Sequence, residues 1–210
     1  MTEFVTTLNK IREHSPCIDG WRKLLKSLNK ETADDEPLPF RVILESNGLD
    51  DALWCTRTTS KYAKGWRLYS IRCARRVQHL MTDNRSINAI DIAESYVNGK
   101  ATADAVAAAR EGALEALREG ARVGEVAESV TRAIVKYSIR DTAWAAAREE
   151  AWAAAREAVQ AMARRTVRVG AEAWNPSWDA AQRAAEEAAW EAARAAQEAE
   201  FLRIISGSTN

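Results

Sequence analysis

Apolar side chains recur along most of this chain at intervals of three and four residues, the spacing of one helix face, and almost nowhere in strict alternation. The class that follows is all-α. Residues 3–13 and 17–29 read as two short helices parted by Ser15-Pro16, the second bringing Trp21, Leu24, Leu25 and Leu28 to helical spacing. Phe40 to Ser46 fits a short buried helix or a strand, ended by Asn47-Gly48, a pair that tolerates positive φ. Helix is favoured there, because Leu49, Leu53 and Trp54 go on in helical spacing and not as the return strand of a hairpin. A helix from Gly65 to about Met81 has two faces: Tyr69, Cys73, Val77 and Leu80 on an apolar side, Arg72, Arg75, Arg76 and His79 on a basic one. The next runs from Ser86 to Asn98 and stops at Gly99, and another follows Thr102 as its N-cap. From Gly124 no Pro or Gly interrupts the pattern before Gly170, which predicts one long helix or two nearly collinear ones. The last helix opens at Asn175-Pro176, a cap with proline at the first helical position, and reaches about Ile205 before Gly207. The tail SGSTN is expected to fray.

Composition divides the chain. Alanine occurs 6 times in residues 1–100 and 35 times in residues 101–200, which predicts an N-terminal helical part, 1–124, and an Ala/Trp-rich long-helix part, 125–210, packed as one domain. In the second part Trp144, Trp152, Trp174, Trp178 and Trp190 supply most of the bulk, and the favoured role for them is to plug the core between closely approaching alanine faces. AWAAARE at 143–149 and 151–157, with AWEAARA at 189–195, is an eight-residue near-repeat. That period drifts about 80° past two turns, so it holds no single heptad seam. The expected architecture is a multi-helix bundle with long Ala-rich C-terminal helices. Because such helices bury little apolar surface per turn, a homodimer is expected.

Thirty Lys and Arg balance thirty Asp and Glu, which argues against generic nucleic-acid binding. The first residues hold no apolar targeting region and no stretch reads as a membrane span, so the expected home is the cytoplasm. Cys17, Cys55 and Cys73 fit neither a disulfide framework nor zinc spacing, and Cys73 lies on an apolar face as a buried structural thiol. No phosphate loop, dinucleotide fingerprint, zincin motif or nucleophile elbow is present, and His14 and His79 are the only histidines. No enzyme activity, catalytic residue, cofactor or metal is expected. The carboxylates Asp34, Asp35, Glu36, Asp50 and Asp51 read as caps and first-turn charges of the helices that follow them.

One constellation stands out. Between Thr56 and Val77 there are seven basic residues and no acidic one, with Tyr62, Trp66 and Tyr69 interleaved. Guanidinium forks beside aromatic planes suit an anionic planar ligand or an acidic protein surface. The candidate binding residues are Lys61, Tyr62, Trp66, Arg72, Arg75, Arg76 and His79. The competing account, a helix face whose arginines pair with carboxylates of neighbouring helices, is the one favoured at zero net charge.

The segment CARRVQHLMTDNRSINAIDIAESYVNGKATADAVAAAR, residues 73–110, with the Ala-rich helices after it, resembles the helical immunity-protein family found near bacterial polymorphic toxins. The likeness runs from Leu68 through the Ala-rich region. Residues 26–55, KSLNKETADDEPLPFRVILESNGLDDALWC, look similar to proteins of phages and mobile elements in which AWAAAR-type runs vary in length. The resemblance implies a non-enzymatic α-helical protein that neutralises a toxin or a host-defence effector by stoichiometric binding, in the host cytoplasm if phage-encoded. It carries over no catalytic residues. The alternative, carried by the basic and aromatic cluster, is a sponge that sequesters an immune nucleotide signal of the cyclic class without cleaving it.

Overall fold

A computed structural model describes residues 3–81, 83–120, 142–169 and 176–207. The chain is all-α, as its periodicity predicts, and the longest helices among the described residues are the Ala-rich ones at the C-terminal end. The described residues fall into two compact units that are not consecutive in sequence. The first holds residues 3–70, 142–144 and 198–207, and the second 71–81, 83–120, 145–169 and 176–197. Gly124, where the sequence suggested a boundary, lies outside the described residues, as do Asn175 and residues 208–210 of the tail.

In the first unit, β1 (Val5–Thr6) pairs antiparallel with β2 (Leu38–Pro39), Val5 opposite Pro39. The helix expected over residues 3–13 is therefore shorter: α1 spans Leu8–Glu13, and Thr7 is its N-cap, with Oγ1 accepting from Lys10 N at 3.2 Å. The helical spacing of Val5, Leu8 and Ile11 is satisfied only from Leu8 on, because Phe4 and Thr6 are held by distant partners. Phe40 N donates to Phe4 O at 3.0 Å, and the Thr6 and Thr58 hydroxyls meet at 2.6 Å in the interior. Helices α2 (Ile18–Ser27), α3 (Phe40–Asn47) and α4 (Leu49–Cys55) follow. Phe40 to Ser46 thus resolves as helix, and Gly48, at φ 93°, makes the turn into α4.

Asp50 and Asp51 occupy the first turn of α4 as expected. Asp34 and Glu36 instead bind the Lys30 ammonium, Glu36 at 2.6 Å, while Asp34 O receives Asn9 N at 3.0 Å. The capping role read for Asp34, Asp35 and Glu36 is thereby corrected: the residue that precedes α3 is Pro39. The core of this unit joins Leu8, Ile11, Phe40, Ile43 and Leu53 to the start of α5 (Ala63–Arg76) and the end of α9 (Pro176–Ile205), where Phe201, Ile204 and Ile205 are buried. Gly65 lets α5 into this core: a Cβ there would stand 2.8 Å from the Phe4 ring.

The second unit takes up α5 from Ile71. This helix ends at Arg76, earlier than the pattern predicts, and Gln78–Leu80 turns on as a 3₁₀ segment after Val77, whose N–H bonds Ala74 O. Tyr69, Cys73 and Val77 of the apolar face are buried, whereas Leu80, read as its fourth member, is half-buried in the 3₁₀ segment beyond the helix. Helix α6 (Asn84–Val97) is capped by Asp83 and closed at Gly99, φ 73°. Helix α7 (Ala103–Gly120) starts after Thr102, whose Oγ1 accepts from Ala105 N at 3.2 Å. Ala89, Ala109 and Ala113 make the α6–α7 contact with Ile92 and Leu114 beside them. Helix α8 (Thr142–Val169) buries Ala147, Ala151 and Ala155 at i, i+4 and i+8, and α9 buries Ala193 and Gln197. No helix among the described residues is long and apolar enough to cross a membrane.

Candidate functional site

The basic face of α5 lies in the second unit, and its charges meet carboxylates. Arg75 Nη1 is 2.7 Å from Asp91 Oδ1 and Nη2 is 2.5 Å from Glu94 Oε2, both on α6. Desolvation works against its charge, but the hydrogen bonds from Glu94 and Asp91 outweigh it and hold the guanidinium pKa above its ordinary value. Arg76 grips Glu150 of α8 with a fork: Nε faces Oε1, and Nη2 donates to Oε2 at 2.9 Å. Glu150 is only 2% exposed, and Gln197 Nε2 donates both to its Oε2 at 3.2 Å and to Ala147 O at 2.7 Å. Arg194 Nη1 then reaches Gln197 Oε1 at 3.2 Å, so one polar chain threads α5, α8 and α9 through the alanine packing. His79 Nε2 stands 3.1 Å from Glu157 Oε2, and Arg72 is half-buried.

The remaining candidates belong to the first unit. Tyr62 and Trp66 are core residues and do not rim an accessible surface. Tyr62 stacks on Phe4 at 4.0 Å and 12°, and its hydroxyl accepts from Val5 N at 3.2 Å. Trp66 lies stacked with Phe201 at 5.8 Å and edge-on to Phe4 at 5.2 Å. Lys61 is exposed, with Nζ 5.4 Å from the Tyr62 ring centre. The aromatic interleaving that suggested a planar ligand is explained by these ring contacts, which need no ligand.

The first unit also has a cleft that the sequence did not disclose. It is a partly open cavity of about 100 Å³ between α1, α2, α3 and α4, walled by Ile11, Pro16, Trp21, Leu24, Ile43 and Trp54. Gly20 brings α2 against Asp51, since a Cβ there would sit 2.7 Å from Oδ2. Asn47 Nδ2 donates to Gly20 O at 2.8 Å and to Asp51 Oδ2 at 2.7 Å, which satisfies the polar floor. Burial pushes the Cys55 thiol at the same cleft up to about 12, the Asp51 charge adding to the shift, so it stays neutral. Cys17 is exposed at the N-cap of α2, and Ile18, the first residue of that helix and one turn before Trp21, is 65% exposed. Arg57 lies 4.5 Å from the centre of the Trp54 ring. The lining is mostly apolar and aromatic. Trp21 at helical spacing was the available signal; Trp54 and Ile43 join it only through the α2–α3–α4 packing.

Among the described residues no group of three or more His, Cys, Asp or Glu is placed to hold a metal ion. No protein-family model matches the chain, and neither a curated protein nor a solved structure matches it.

Proposed function

We propose that this chain acts by stoichiometric, non-enzymatic binding of a protein target, the neutralising role that the immunity-protein resemblance implies, with a bacterial toxin or a host-defence effector as the target. The observation that carries this reading is the Trp21/Trp54 cleft, apolar and open, with Ile18 exposed on the same helix one turn before Trp21. A large exposed aliphatic residue one turn from a tryptophan of the cleft wall has the composition of an interface anchor and its pocket. The pairing of Arg75, Arg76 and His79 with Glu94, Glu150 and Glu157 favours a protein target over a nucleotide, which would have to displace those carboxylates.

Size-exclusion chromatography with light scattering, run against a panel of toxins and defence effectors, tests the proposal: a complex of fixed stoichiometry supports it. Calorimetric titration with linear and cyclic nucleotides tests the sponge. Tight nucleotide binding with no protein complex would replace the proposal by the alternative.

A further inference from the structure

Trp152 does not plug the core as the favoured sequence reading has it. It is 42% exposed and meets Trp190 edge-to-face at 5.6 Å and 77°, in a groove of α8 and α9 that continues past Arg183, Glu186 and Glu187. On α9, Arg183, Glu187, Trp190, Arg194 and Glu198 follow one another at steps of four, three, four and four residues, which is one helix face about 22 Å long. Its charges read Arg, Glu, Trp, Arg, Glu in one direction and Glu, Arg, Trp, Glu, Arg in the other.

The geometry points to a second copy of this chain as the occupant of the groove, docked antiparallel about a two-fold axis beside Trp190. In that arrangement Arg183 faces Glu198 of the second copy and Glu187 faces its Arg194, and the symmetry makes each pair twice. A parallel pairing would set Arg against Arg and Glu against Glu, which the like charges oppose. Arg194 keeps its bond to Gln197, because a guanidinium fork serves more than one acceptor. The Trp152 and Trp190 rings of the two copies then meet near the axis, where they exclude water from the charge pairs.

Sedimentation velocity of the full chain at micromolar concentration reads this directly. The expected species has twice the 23.3 kDa mass. Trp152→Ser is expected to weaken the dimer at least about tenfold, the lost aromatic contact at the interface centre being worth more than 1.4 kcal/mol. Arg183→Glu is expected to weaken it severalfold, and Arg183→Glu with Glu198→Arg to restore it, each with the helical circular dichroism of the parent. A monomeric parent overturns the proposal. So does a dimer indifferent to Trp152→Ser, or a charge swap that fails to restore what Arg183→Glu removes.

Discussion

Arg76 and Glu150 show how a charge is used inside an alanine interior. A carboxylate removed from water is tolerated only when its oxygens are filled, here by Arg76 and Gln197. Arg76→Ala leaves that carboxylate buried without its cation, and the expected loss is about 3 to 5 kcal/mol of unfolding free energy in urea titration. His79→Ala, at a pair open to solvent on both sides, is expected to cost under about 1 kcal/mol. Equal costs would contradict this account of the network. Cys55 gives a pH signature. Its thiol ionises near 9.0 in the ordinary state and is held protonated to about 12 by burial, so over that range the folded chain binds the extra proton. The stability it contributes is complete below pH 9.0 and is lost as the pH climbs toward 12. Melting curves of Cys55→Ala should therefore fall less steeply above pH 9.0 than those of the parent, and an unchanged slope would count against the burial argument. The arginine spacing was legible in the sequence, but the partner was not. Glu150 lies 74 residues from Arg76 within a run rich in Ala, Arg and Glu that does not set it apart from its neighbours. Only its place between Ala147 and Ala151 on the buried i, i+4 stripe hinted otherwise.

At the level of elements, the local signals that were legible are the ones whose physics is local. Thr102 caps, Gly99 closes α6, and Pro176 opens α9. Elements fixed by distant partners were not legible, as with Val5–Thr6, extended by pairing with Leu38–Pro39, and the end of α5 at Arg76, which has neither glycine nor proline to mark it. The α3–α4 turn is a clean case for measurement. Gly48 sits at φ 93° with nothing within 4 Å of where a Cβ would be, so Gly48→Ala tests the backbone alone. The expected cost is about 1 to 3 kcal/mol, read as a lowered thermal midpoint. A variant as stable as the parent would mean that the turn does not need glycine. Trp152 marks the opposite failure. Its helical spacing among alanines looks like core, and only the packing of α8 on α9 puts it outside.

For the whole molecule, zero net charge and an alanine-rich half describe how the chain folds more than what it does. The thirty acidic residues that argue against polyanion binding include those that hold the arginines of α5. Tyr62 and Trp66, read as edge residues of a binding surface, serve the core of the first unit, and the cleft with the better claim lies on α1 to α4. It was hidden because Trp21 and Trp54 are 33 positions apart and each alone looks like a core tryptophan. We propose that this cleft and its rim bind a protein target. Ile18→Glu tests it with little risk to the fold, since Ile18 is exposed and an acidic residue in the first turn of α2 suits the helix dipole. The decisive measurement is growth rescue in cells that co-express this chain with each of a panel of toxins and defence effectors, comparing the parent with Ile18→Glu at equal protein level and equal melting temperature. The parent is expected to protect against at least one of them, and Ile18→Glu against none. Protection by both chains alike would contradict the proposal.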